Sequence, residues 1–397
     1  MRVMNTQIQI GRTRLVFGTG AVHSIAEELK RYQAVRPLLI TDKVLHGLGV
    51  LDELKESLRG AGIEWSLYEG VTPDPVSASV DEAVRVLKAE NCDSVIGIGG
   101  GSVMDTAKCV AAMAVNGGLL LDYDHANESY REFEKESLPL LNIPTTSGTG
   151  SELSPYAVIT NEREGRKATI GSPMLYSRSA IVDPMLIWNL PKGATAATGA
   201  DALAHCIEVF TSVKSMQMPN LFIDALACQG VKCIYEALPG VCEDGKNAEL
   251  REKMMWGSTI GGFVLQHGSG AAHGLGNVLG GELHVPHGNA VGMLLPHVIE
   301  FNKDVCGERY AQLAKTIGLE ETGTDAQAEA FAEAMKQFFR KLELPGVSKW
   351  LRDKEQIPYL AALAMKDKCT RINGKPVTLE DAKKIYEKAY GKKEGVF

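Results

Sequence analysis

The chain has 397 residues, 45% of them hydrophobic and 23% charged, with a formal net charge of −7. That length exceeds one ordinary domain and points to two packed domains with ample core, and the composition is that of a folded globular protein, which excludes a disordered scaffold. A negative balance without any long Lys/Arg run lacks the positive field that phosphate backbones require, so nucleic acid is not the expected partner.

The opening stretch MRVMNTQIQIGRTRLVFG interrupts its apolar residues with polar ones and has no signal-peptide core, and no window reaches 18 uninterrupted apolar residues. A cytoplasmic protein without a membrane partner is the expectation. Eight cysteines are scattered without a Cys-x-x-Cys pair, which reads as reduced, mostly buried thiols and excludes a zinc-thiolate knot.

Next come short β-rich runs at 37–42 (PLLITD), 94–100 (SVIGIGG), 138–144 (LPLLNIP) and 179–183 (SAIVD). Amphipathic stretches such as VHSIAEELKRY, LDELKESLRG and SVDEAVRVLKAE separate them. Alternation of this kind predicts βαβ units on a parallel sheet, a doubly wound α/β domain over residues 1–190.

Within it, SVIGIGGGSVMDTAK runs from a strand through Gly99, Gly100, Gly101 and Ser102 into a helix. Glycines let backbone approach an anion, and the free amides of a helix start attract phosphate, so a pyrophosphate fits here; a purely structural turn fits as well. No Gly-Lys-Ser/Thr closes the loop, and Ser102 replaces the last glycine of a Rossmann fingerprint. Two readings also fit Asp42 at the end of PLLITD: a carboxylate that grips a ribose and repels a 2′-phosphate, or the N-cap of a helix starting at KVLHGLG. The second small-residue loop, PTTSGTGSE at 144–152, offers the hydroxyls of Thr145, Thr146, Thr149 and Ser151 to phosphates or the nicotinamide amide, or is a glycine-rich turn. It lacks the Gly-x-Ser-x-Gly spacing of a nucleophile elbow, so serine-hydrolase chemistry gets no support.

From about residue 191 the texture becomes Ala-, Leu- and Met-rich and helical, with scarcely a strand candidate, which predicts an all-α domain over 191–397. No linker separates the halves, so a tight hinge over a ligand-binding cleft is expected.

In ATGADALAHC, Asp201 and His205 stand four apart on one helical face, a chelating geometry that also suits an ordinary hydrogen bond. Further on, AHGLGNVLGGELHVPHG carries His273, His284 and His287. A straight helix would separate His273 from His287 by about 21 Å. Gly280, Gly281 and Pro286 are expected to break the helix and fold the chain back. One carboxylate and three imidazoles then suit Fe²⁺ or Zn²⁺ with room for a substrate oxygen. His284 reads as a surface or N-cap residue, or as one standing behind the metal ligands; His267 and His297 read as packed or capping residues, and His23, His46 and His125 lie in the other half.

Together, GGGSVMDTAK, TTSGTGSE, IVDP, the DALAHCIE run and HGLGNVLGGELHVPHG resemble the iron-containing (group III) alcohol dehydrogenases over nearly the whole chain. The resemblance implies a dehydroquinate-synthase-like fold, with an N-terminal α/β dinucleotide-binding domain, an all-α C-terminal domain and the active site between them. It implies Asp201, His205, His273 and His287 as metal ligands, and Asp42, Asp74, Gly100, Gly101, Ser102, Thr145, Thr146, Thr149 and Lys167 along an NAD site. Asp74 stands in a Pro-Asp-Pro where many members have Pro-Asn-Pro. Where many members carry a second histidine four residues after the third ligand, this chain has Asn277, a position the resemblance sets near the nicotinamide.

The expected activity is hydride transfer between NAD(H) and a small primary alcohol or aldehyde by a homodimer or higher homo-oligomer, with the metal as Lewis acid. A dehydroquinate-synthase-type lyase or cyclase is the alternative, but it needs basic residues around the metal, and Lys214, Lys232, Lys246, Arg251 and Lys253 all fall outside the ligand segments. A non-catalytic scaffold subunit would not need intact metal and phosphate motifs.

Overall fold

The structure, a computed structural model, describes residues 6–127, 129–164 and 166–391. The chain divides into two units, residues 1–146 with 150–188 and residues 147–149 with 189–397.

Among the described residues of the first unit the strands are β1 (Thr6–Ile10), β2 (Thr13–Phe17), β3 (Pro37–Ile40), β4 (Ser66–Tyr68), β5 (Ser94–Gly99), β6 (Leu140–Pro144), β7 (Tyr156–Asn161), β8 (Arg166–Gly171) and β9 (Ser179–Val182). Its α-helices are α1 (Ile25–Arg31), α2 (Lys43–Gly47), α3 (Asp52–Gly60), α4 (Ser77–Ala89) and α5 (Gly101–Met113). Seven strands form one sheet in the order β1-β2-β9-β6-β5-β3-β4, parallel except for the β1–β2 hairpin, and β7 pairs with β8 in a separate antiparallel ribbon.

The apolar runs of the central strands are buried because helices cover both faces of the sheet. Alternation along the pleat sends Leu38, Ile40 and Val95 to one side, against Val80 and Leu87 of α4 and Val103 and Val110 of α5. Leu39, Ile96 and Ile98 go to the other, against Ile25 and Leu29 of α1 and Leu54 and Leu58 of α3. From β3 the chain steps outward to β4 and then returns to β5 on the other flank of β3. The order therefore reverses between β3 and β5, and the carboxyl ends of these two strands carry Asp42 and Gly100. Such a reversal point is where open α/β sheets leave a crevice for ligands.

The second unit is built from α6 (Lys192–Thr211), α7 (Val213–Gln217), α8 (Leu221–Glu243), α9 (Ala248–Val264), α10 (Ala271–Leu283), α11 (His287–Asn302), α12 (Gly307–Thr316), α13 (Thr324–Leu342), α14 (Ile357–Ala364), α15 (Lys368–Arg371) and α16 (Leu379–Ala389), with no strand among its described residues. α6 packs against α8, α9 and α11 and is buried at every position from Gly199 to Thr211. A helix apolar on all sides is a core helix. Any polar residue it carries must therefore be paired inside the protein.

One expectation is corrected here. Gly280 and Gly281 do not break the helix; both lie within α10. The reversal comes later, where His284 closes α10 in the left-handed conformation at φ 53° and Pro286 precedes α11. Helix ends favour a left-handed residue, and proline's fixed φ suits a helix start, whereas glycine only weakens a helix interior that packing can hold.

Candidate functional site

The interior face of α6 presents Asp201 and His205 one turn apart, and the starts of α10 and α11 deliver His273 and His287 to them. The Nε2 atoms of His205, His273 and His287 lie 3.6, 3.4 and 3.4 Å from the same atom, Asp201 Oδ1. The rings of His205 and His273 stack at 4.8 Å between centroids, and His287 tilts against His273 at 5.5 Å. The first three side chains are buried, while that of His287 keeps 49% of its surface. The cluster thus meets solvent mainly at His287.

Asp201 Oδ1 and His273 Nε2 are both buried without a hydrogen-bond partner. Native proteins seldom leave such atoms unsatisfied, because desolvating a carboxylate costs several kcal/mol. Burial resists the charge on Asp201, but His205 and His287 overcome it and hold the carboxyl well below its usual range. Burial drives His205 down to about 4, against the pull of Asp201. Burial also opposes a charged His273, yet Glu208 and Asp201 raise it to about 10. One carboxylate and converging imidazole nitrogens are the donor set of a borderline divalent cation, so these residues fit the expected metal. Asp201, His205 and His273 meet as a triad whose ligand atoms could hold one metal ion, and His287 reaches the same oxygen.

Sequence reasoning missed Glu208. It follows Asp201 by seven residues, on the same stripe of α6. Its Oε2 takes the Nδ1 proton of His273 at 2.5 Å and the amide of Gly270 at 3.0 Å, and its Oε1 takes the amide of Ala272 at 2.6 Å. The i, i+4, i+7 spacing within DALAHCIE was the available signal.

Asn277 is exposed and lies one turn beyond His273, where its Nδ2 donates to Asp367 Oδ2 at 3.1 Å. The other oxygen of Asp367 caps α15 through the amide of Cys369 at 2.7 Å. His284 is the exposed C-cap of α10, and His297 is largely buried, which lowers its pKa to about 4.

Most of the other candidates lie in the loops that follow parallel strands of the first unit. Gly100 is the N-cap of α5. The need for glycine is strongest one residue earlier, since a β-carbon on Gly99 would stand 2.5 Å from Val103, and its absence lets α5 pack onto β5. Ser102 donates to the carbonyl of Pro73 at 2.6 Å, and the Lys167 ammonium on β8 pairs with Asp74 and reaches Thr160 Oγ1 at 3.0 Å. The amide of Thr145 donates to Gly99 O at 3.0 Å, and Thr146 Oγ1 is buried without a partner. Asp42 caps α2, its Oδ1 accepting from the Leu45 amide at 2.9 Å, which engages one carboxylate oxygen. Thr149 belongs to the second unit.

Behind this rim, Lys108 is fully buried and donates to Ser151 Oγ and Tyr156 O, both at 2.6 Å. It thereby ties α5, which starts at the first glycine loop, to the segment that leaves the second.

The family model described as "Iron-containing alcohol dehydrogenase" matches residues 12–184, and "Fe-containing alcohol dehydrogenase family, C-terminal" matches residues 195–390. The chain is 35% identical to the NAD-dependent methanol dehydrogenase of Bacillus methanolicus, over 94% of this chain and 97% of that protein. It is also 35% identical to the lactaldehyde reductase of Escherichia coli K12, with the same coverage of 94% and 97%. A crystal structure of 1,3-propanediol oxidoreductase superposes with a TM-score of 0.90 at 30% identity, over 98% of this chain and all of that one.

Proposed function

The chain belongs to the iron-containing alcohol dehydrogenase family, and from that premise we propose that it moves a hydride reversibly between NAD(H) and a small primary alcohol or aldehyde. The observation that carries this reading is the convergence of three imidazole Nε2 atoms on the single buried oxygen of Asp201. Asp201, His205, His273 and His287 would hold the ion. Bound there, Fe²⁺, with Zn²⁺ as the alternative, supplies Lewis-acid polarisation of a substrate oxygen, and NAD(H) supplies the hydride donor or acceptor.

The chain's own residues do the rest. Asp201 contributes the one negative charge within the donor set, and its burial keeps that charge from being screened by water. His205 and His273 close the inner side, and the half-exposed His287 leaves the outer side for a substrate to approach. Asn277 holds no titrating proton and is engaged by Asp367, so the alcohol proton leaves through solvent and not through this position. Asp42, Asp74, Gly100, Gly101, Ser102, Thr145, Thr146, Thr149 and Lys167 would line the NAD site. The second oxygen of Asp42 would take a ribose hydroxyl while Oδ1 keeps its cap.

No helix among the described residues is long and apolar enough to cross a membrane. Eight free cysteines support a reducing, cytoplasmic setting. Among the described residues no strand pairs with the outer edge of β1, and such an edge supports association into a homodimer or larger homo-oligomer.

Purified protein assayed with NADH and a panel of short aldehydes, before and after chelation, tests the reading. Aldehyde-dependent NADH oxidation that falls with metal content is expected. Turnover of a sugar phosphate without net NADH consumption would replace the reading with that of a lyase.

A further inference from the structure

The amino end of α10 is capped by two side chains from elsewhere in the unit. Asn373 Oδ1 takes the amide of Ala271 at 3.1 Å, and Glu208 takes those of Gly270 and Ala272. Only Glu208 also touches the imidazole of His273, at 2.5 Å from Nδ1. Glu208 is 3% exposed, and its remaining contacts are with Ser269 Oγ and the His273 amide, both at 3.4 Å, so every partner offers it a hydrogen. A carboxylate surrounded by donors acts as acceptor only, which leaves the proton of the short contact on Nδ1.

We propose that Glu208 is a positioning residue that fixes the tautomer and direction of His273, keeping a proton on Nδ1 and turning Nε2 toward the cluster at Asp201, where its lone pair would face a bound ion. The proposal rests on the reading of the cluster as a metal centre. Because the same carboxylate holds the first amides of α10, the ring direction is locked to the helix start, and His273 needs no rearrangement to become a ligand. Carboxylates behind metal-bound imidazoles tune affinity this way, typically by 10- to 100-fold.

The test is a titration of the metal-free chain with Zn²⁺ against a chromophoric chelator, for wild type, Glu208→Gln, Asn373→Ser and Asp201→Ala, with circular dichroism recording the fold. Glu208→Gln should bind roughly 10- to 100-fold more weakly. Asn373→Ser, which removes a cap from the same helix without touching the ring, should bind as wild type does.

Wild-type affinity in a folded Glu208→Gln, or an equal loss in both cap variants, would overturn the proposal. If Asp201→Ala still binds one ion, it is the metal-centre reading that fails. Should Glu208→Gln not fold, ¹⁵N spectra of His273 in the Zn²⁺-loaded wild type decide: a protonated Nδ1 is expected, and a protonated Nε2 would overturn the proposal.

Discussion

Gly288 faces the backbone of α6 so closely that a β-carbon on it would stand 2.4 Å from the carbonyl oxygen of Ala197. That approach brings the start of α11, and with it His287, onto the turn before Asp201. The obstacle is backbone, which cannot swing aside as a flexible side chain does. Gly288→Ala should therefore shift α11 outward and weaken metal binding, and it should lower stability by about 1–3 kcal/mol. Chelator competition and urea denaturation on the metal-free chain would check both effects. An alanine variant with unchanged affinity would show that the contact does not set the position of His287.

Glu152 is buried, and its Oε2 has no partner. Burial pushes its pKa up to about 7, against its backbone hydrogen bond and the pull of Lys108. A carboxyl raised on folding stabilises most below its unfolded pKa near 4.5, and that contribution is lost as pH rises through about 7. Wild type should lose stability relative to Glu152→Gln between pH 5 and pH 8, by on the order of 2–3 kcal/mol. Parallel urea curves at the two pH values would check this, and a difference independent of pH would count against it.

Asp42→Gly should narrow the preference for NADH over NADPH, since the variant removes both a ribose acceptor and a charge that repels the 2′-phosphate. Glycine is itself a tolerable N-cap, so the helix that Asp42 now caps should lose only a few tenths of a kcal/mol. Cofactor binding by fluorescence quenching measures the ratio. A wild type that prefers NADPH would show the ribose role to be wrong.

Asn277→His would place a titrating group one turn beyond His273, beside the Asp367 carboxylate that the amide now engages. The pH profile of alcohol oxidation should change more than that of NADH binding. Identical profiles, under conditions where hydride transfer limits the rate, would leave position 277 without a part in proton handling.

Much of the centre could be read from local sequence because α6 obeys a simple period. Asp201 and His205 announce themselves at i and i+4, and the buried runs of β3 and β5 show as unbroken apolar stretches. Glu208 lay on the same stripe but did not stand out, because its partners sit more than sixty positions away at the start of α10. Gly280 and Gly281 misled because tertiary packing held a glycine-rich stretch helical, and the bend moved to His284, a residue with no strong turn preference. Asp42 could not be resolved because N-capping and ribose binding ask for the same carboxylate at the same strand end. Lys108 could not be recognised as buried, since its partners Ser151 and Tyr156 follow only after the chain has crossed the sheet.

The most direct measurement is of bound metal and turnover on the same preparations: wild type and Asp201→Ala, each chelated, reloaded with Fe²⁺ and assayed by aldehyde-dependent NADH oxidation. Asp201 supplies the oxygen on which all three imidazoles converge. The expected result is one ion per wild-type chain, activity that disappears on chelation and returns on reloading, and neither ion nor turnover in Asp201→Ala, which still binds NADH. Full turnover by the metal-free wild type, or one tightly held ion per Asp201→Ala chain, would contradict the assignment.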